Sequence, residues 1–212
     1  MKTVRITFSK TGRAKYISHL DLNRAMSRAL RRAAIPLWYT EGFNRHPYVT
    51  FAAPLSLGYE SLCESMDIRL EEELPMDELV GRLDAVMPEG LHIVSAHEAL
   101  MKPGELTAAR YRLTLDCPAQ AVERLLARDS IPVEKRTKKK TMKTVDIRPS
   151  LTAVQLKEEG TGCVLEVTLP CSSADTVNPS LVLAALQQET GQEVSGDVLR
   201  VALYGRDGAP FA

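Results

Sequence analysis

Apolar positions along this chain alternate with a period of two, switch to steps of three and four, return to two, and then repeat the cycle. Residues 4–8 read VRITF, with Val4, Ile6 and Phe8 on one side, the mark of a half-buried strand. After the basic, glycine-containing loop SKTGRAKY, the residues Leu22, Met26, Ala29, Leu30 and Ala33 form an apolar stripe that predicts an amphipathic helix over residues 19–34. Ser18 stands where an N-cap belongs, and Asp21 completes a shortened capping box. Pro36 and Pro47 bracket a segment that turns at Gly42; residues 48–53 (YVTFAA) and 64–70 (ESMDIRL) then read as strands on either side of a turn at Gly58. PMDELVGRLDAVMPEG places Pro75 at a helix start, acids in the first turn, Leu79, Val80 and Leu83 on one face, and a Pro-Glu-Gly stop, after which LHIVSAHE returns to a strand.

Residues 100–107, LMKPGELT, interrupt every periodic pattern and read as a linker. Beyond them the order recurs. Residues 110–115 alternate, PAQAVERLLARD is a helix starting at Pro118, and residues 132–143 are basic. Strands are expected within 146–156 and at 163–169, a capped helix ends at Gly191, and a strand at 198–204 closes the chain. Each half has the order strand, helix, strand, strand, helix, strand. The expected fold is therefore α+β, two tandem ferredoxin-like (β-α-β-β-α-β) domains with antiparallel sheets, over residues 1–99 and 108–212. The halves share element order without a residue-level repeat.

Charge adds a second pattern. The formal net charge is +0, yet residues 1–50 hold ten Lys or Arg against two Asp or Glu, and residues 51–100 hold two against eleven. Residues 101–150 hold twelve against six, and 151–212 hold three against eight. Two basic blocks separated by acidic ones suggest one positive and one negative face. No run of 18 apolar residues and no apolar leader segment occurs, so a cytoplasmic protein with no membrane partner is expected. Cys63, Cys117, Cys163 and Cys171 lie far apart with no C-x-x-C pair, which predicts reduced, mostly buried thiols and no zinc or iron–sulfur site.

The candidate chemistry concentrates in residues 17–47. Arg24, Arg28, Arg31 and Arg32 form a ladder on the helix face opposite the apolar stripe, and each guanidinium can fork two hydrogen bonds onto a phosphate or carboxylate. The following loop carries Phe43, Asn44 and Arg45, with Phe43 or Tyr48 available to stack a base. Six of the nine residues at 135–143 are basic, and Lys138, Lys139 and Lys140 read as phosphate contacts in a loop between strands. Asp146 and Arg148 sit two apart in an expected strand, so they face the same way and either pair with each other or hold a partner. His19, Asp21 and His46 are the candidates for general acid–base catalysis. No metal site, P-loop, dinucleotide fingerprint or nucleophile elbow is present in the pattern.

YISHLDLNRAMSRALRRAAIP, GFNRHPYVTFAAPLSLGYES and VDIRPSL resemble the bacterial radical SAM-associated (radical SAM-linked) protein family, a domain of unknown function, and the resemblance covers nearly the whole chain. The family's SHLD motif falls on Ser18, His19, Leu20 and Asp21, its arginine-rich helix on Arg28, Arg31 and Arg32, its Gly-Phe-Asn-x-His-Pro motif on Gly42, Phe43, Asn44, His46 and Pro47, and its Asp-x-Arg-Pro motif on Asp146, Arg148 and Pro149. Arg45 stands where many members have Pro. The chain lacks the C-x-x-x-C-x-x-C cluster motif, so the resemblance implies the companion of a radical SAM enzyme and not the catalyst, with no cofactor of its own. The expected function is a non-catalytic RNA-binding or substrate-presenting module, using a basic interdomain cleft on RNA or a ribosome-linked substrate. The alternatives are a protein-interaction subunit docking an acidic face of the radical SAM enzyme, and a nuclease or hydrolase using His19 and His46.

Overall fold

The computed structural model describes residues 2–136, 141–172 and 174–212. The fold is mixed α+β, with four α-helices among the described residues and mostly antiparallel sheet. It divides into two compact units, Met1–Leu106 with Ala202–Ala212, and Thr107–Val201. Among the described residues no helix is long and apolar enough to cross a membrane.

The first unit contains β1 (Thr3–Lys10), α1 (His19–Arg32), β2 (Val49–Phe51), β3 (Glu60–Arg69), α2 (Met76–Asp84) and β4 (Leu91–Glu98). Its strands run in the order β4–β1–β3–β2, each antiparallel to its neighbour. The Ser18 hydroxyl accepts from the Asp21 amide at 3.1 Å and donates to the Asp21 carboxylate at 2.7 Å, so α1 starts where the sequence placed it. It ends at Arg32 because Ala34 takes a positive φ of 48°. Leu22, Met26, Ala29 and Leu30 pack with Val4, Ile6, Phe8, Met66 and Ile68 in one apolar core. Each such side chain contributes roughly 1.5–3 kcal/mol by leaving water. The strand expected over 48–53 shrinks to three residues, since Pro47 and Pro54 lack the N–H a ladder needs.

Two further expectations for this unit change. The loop expected over residues 9–16 is not simply a loop: β1 runs on to Lys10, Gly12–Tyr16 form a 3-10 helix, and the carbonyls of Lys15 within it and Ile17 after it accept from the buried Lys10 ammonium at 3.3 and 3.1 Å. Gly90 backs this segment at φ +83°, where a Cβ would stand 2.5 Å from the Thr11 carbonyl oxygen. The second change concerns β1, which is buried on both faces and not half-buried. Arg5 is 0% exposed, grips Asp67 of β3 through two 2.8 Å bonds, and donates to the carbonyls of Met101 at 2.6 Å and Ala212 at 2.8 Å. The Phe211 ring lies 3.9 Å from its guanidinium carbon.

The second unit contains β5 (Ala108–Leu115), α3 (Ala119–Leu126), β6 (Pro132–Arg136), β7 (Met142–Asp146), β8 (Thr152–Glu159), β9 (Gly162–Pro170), α4 (Pro179–Thr190) and most of β10 (Gly196–Tyr204). Its sheet order is β10–β5–β9–β8. Asn178 caps α4 with a 2.9 Å bond from the Ser180 amide, and Gly191 closes it in the left-handed region, as its turn chemistry requires. The basic segment departs from expectation: β6 and β7 pair as a separate antiparallel hairpin, Pro132 opposite Asp146. The strand expected within 146–156 therefore starts only at Thr152, after a 3-10 turn at Arg148–Ser150.

Candidate functional site

The four arginines of α1 divide into committed and free. Arg24 meets Asp21 at 3.3 Å in a solvent-exposed pair of little energetic weight. The Ser18 hydroxyl, and after it Arg24, holds the Asp21 carboxyl below the usual aspartate range. Arg32 donates to the Val86 carbonyl at 2.6 Å, just beyond the end of α2. In return Arg82 of α2 donates to the Ala33 carbonyl at 2.7 Å and to that of Ala34, satisfying the open C-terminus of α1. Arg32 thus clasps the two helices. Arg28 and Arg31, one turn apart and exposed, have no partner among the described residues.

Residues 36–48 leave α1 as a narrow excursion beside the end of β3. Trp38 donates to the Arg69 carbonyl at 2.9 Å, Glu71 to that of Pro36 at 2.8 Å, and Tyr48 to that of Trp38 at 3.2 Å. Thr40 and His46 close the tip: the Thr40 amide donates to the His46 carbonyl at 2.9 Å, and the His46 amide to the Thr40 hydroxyl at 3.3 Å. The His46 ring Nδ1 lies 3.0 Å from the Asn44 carbonyl and 3.2 Å from the Thr40 hydroxyl. With Gly42 at φ 121° the closed turn projects Phe43 wholly into solvent, at 108% exposure, beside exposed Asn44 and Arg45. Below the tip Arg69 stacks over Tyr48 at 4.3 Å and Trp38 at 5.4 Å. Tyr48, expected to be open for a base, thus has a guanidinium on one face.

The histidines engage different neighbours. His19 packs edge-on against Phe51, ring centroids 5.2 Å apart, at the start of α1, whereas His46 belongs to the loop closure just described. Among the described residues no group of three or more His, Cys, Asp or Glu side chains is placed to hold a metal ion. Cys117 and Cys163 are buried; burial pushes both thiols up, Cys163 to about 11, so neither is a thiolate nucleophile near neutral pH.

In the second unit Asp146 and Arg148 do not share a strand face. Asp146 ends β7 and its Oδ1 accepts from the amides of Ile131 at 2.7 Å and Arg148 at 3.0 Å, which hold its carboxyl below the usual range. Arg148 begins the 3-10 turn and donates to the Arg128 carbonyl at 3.1 Å, beyond α3. Both are hairpin fasteners, which the two-residue spacing concealed. Lys138, Lys139 and Lys140 lie outside the described residues. Sequence reasoning missed Glu166, which bridges Arg112 at 2.7 Å and Arg110 at 2.8 Å and is held low by both. The Arg-Tyr-Arg alternation of β5 was the available signal, since it aligns the two guanidiniums on one face.

An α+β fold with an arginine-bearing helix and a closed aromatic loop is the class these observations define. The chain belongs to the family described as "Uncharacterized protein conserved in bacteria (DUF2344)", whose model matches residues 3–179. Among curated proteins none matches. A chain in a crystal structure of a Cbf5-Nop10-Gar1 complex is similar at a TM-score of 0.52 and 10% identity, over 96% of this chain and 50% of that one. The present chain thus spans about half of that relative's length, and the likeness is one of fold alone. An unknown protein from Galdieria sulphuraria aligns over 94% of this chain and 98% of its own at 14% identity, with a TM-score of 0.27.

Proposed function

We propose that this protein is a non-catalytic RNA-binding module, built of two ferredoxin-like units, that serves a radical SAM enzyme as a companion presenting RNA or a ribosome-linked substrate. The strand orders β4–β1–β3–β2 and β10–β5–β9–β8, each with two intervening helices, support the ferredoxin-like reading. The resemblance of SHLD and GFNRHP to the radical SAM-linked family supports the partner. The observation that carries RNA binding is the pair Arg28 and Arg31: exposed, aligned on α1, and without a partner among the described residues, while Arg24 and Arg32 are engaged. Like charges at that spacing repel unless an anion compensates them. Phosphates of single-stranded RNA do so, with Arg45 adding charge and Phe43 offering a free ring to a base.

Filter binding of single-stranded RNA across a salt series tests the reading. Affinity should fall as salt rises, and Arg28→Ala with Arg31→Ala should weaken it and flatten the log–log slope by about 1.4, two phosphate contacts' worth. Affinity untouched by the double substitution sinks the proposal. The second reading, a subunit docking an acidic face of the enzyme, is favoured by Tyr16 and Leu20, apolar yet largely exposed around the start of α1. Co-purification with the enzyme that survives high salt and excludes RNA would select it.

A further inference from the structure

Beneath the loop tip is a cleft of about 540 Å³ lined by Trp38, Tyr39, Glu41, Arg45 and Glu71. We propose that it is a base-reading pocket for guanine, resting on the RNA reading above and naming what that surface selects. The backbone of its walls is held in place before any ligand arrives. Trp38 and Glu71 are fixed by their backbone bonds to Arg69 and Pro36, a Leu37–Leu70 bridge lies between them, and Glu41 and Arg45 sit on the turn that Thr40 and His46 close. Half-buried Trp38 and Tyr39 supply ring faces, on which any base can stack.

Selection comes from the carboxylates. An ionised carboxylate accepts hydrogen bonds and donates none. Guanine offers two adjacent donors, N1–H and the N2 amino group, on its pairing edge. Adenine and cytosine each place an acceptor beside their amino group, and uracil flanks its one N–H with two carbonyls. Glu41 or Glu71 therefore matches guanine in two-pronged fashion and leaves an unfavourable acceptor–acceptor contact with the other bases, against a ring nitrogen in adenine and cytosine and a carbonyl oxygen in uracil. Arg45, which also lines the cleft, is the group to take the attached phosphate. A cationic ligand is the competing occupant for aromatic rings beside acids. Arg69 already stacks over Trp38 at 5.4 Å, so a cation holds one face of the indole before any ligand arrives. A guanidinium on one face of the indole instead favours an electron-rich ring, such as a purine, on the other.

Trp38 is the single tryptophan of the sequence, so its fluorescence reports this cleft alone. The intact chain is titrated with guanosine, adenosine, cytidine and uridine 5′-monophosphates, with calorimetry as a second readout. Guanosine monophosphate should quench saturably and bind at least about tenfold more tightly than the others. Glu41→Gln with Glu71→Gln, both at exposed positions, should lower the affinity for guanosine monophosphate and raise that for adenosine monophosphate, because an amide no longer opposes the adenine acceptor, so that the preference between them is lost. Equal quenching by all four, no saturation, or a preference that survives the double substitution overturns the pocket. The two readings fail separately. RNA bound in a salt-sensitive manner with no nucleotide quenching removes the pocket alone, and guanosine monophosphate binding without RNA affinity removes the RNA reading alone.

Discussion

The middle of β1 and the outer face of α1 carry the same functional group in opposite circumstances. Arg5 has four of its five N–H donors matched by a carboxylate and two carbonyls, with Phe211 across its face. Arg28 and Arg31, in the same unit, have none matched among the described residues. A guanidinium taken out of water is tolerated only when nearly every donor is satisfied, so Arg5 is a structural joint that leaves no capacity for a ligand. One left on the surface keeps its donors for whatever anion arrives. The contrast can be tested as a difference in stability.

The largest effect is expected at the joint. Arg5→Ala leaves Asp67 buried without its partner and should cost about 3–5 kcal/mol in urea unfolding. Replacing both, Arg5→Met with Asp67→Leu, should recover most of that loss, because two apolar side chains need no pairing. A cost below about 1 kcal/mol for Arg5→Ala would mean that the pair is hydrated, and the contrast with α1 would vanish.

That contrast was only half legible in the sequence. The α1 arginines stood out because the stripe of Leu22, Met26, Ala29 and Leu30 defines the opposite face within a few residues, and Ser18 marks the start by local chemistry. Arg5 looked like the solvent side of an alternating strand, since its partners are 62, 96 and 207 residues away. The same distance effect hid the tie of Asp146 to Ile131. The β6–β7 hairpin was missed because its alternation is carried by charged residues, which read as a solvated loop. The cleft was invisible for a related reason: Glu71 joins Trp38, Glu41 and Arg45 only because the excursion folds back along β3.

Glu166 lies between the extremes, a partly buried carboxylate shared by two arginines. Its folded pKa lies below the usual 4.5, so it binds fewer protons folded than unfolded. The stability it contributes is fully present above about pH 4.5 and is lost as pH falls through the depressed folded value. Unfolding midpoints followed down in pH should therefore decline less steeply for Glu166→Gln than for the native chain. Parallel declines would show that the two arginines do not favour its charged form.

The smallest effect is expected on α1. Arg28→Ala with Arg31→Ala removes like-charge contacts at i, i+3 and i, i+4 spacing, each unfavourable by about 0.2–0.5 kcal/mol. It also removes a cation from the last turn, where the helix dipole favours one by about 0.3–1 kcal/mol. These terms oppose each other, and alanine is itself a strong helix former. The urea midpoint should stay within about 0.5 kcal/mol of the native chain, with a small gain at low salt that disappears as salt screens the repulsion. A loss above about 1 kcal/mol would reveal partners for these side chains in the folded protein and make the ladder a structural feature like Arg5. An unchanged midpoint together with weakened RNA binding would separate the two classes of arginine, one holding the fold and the other held in reserve by it.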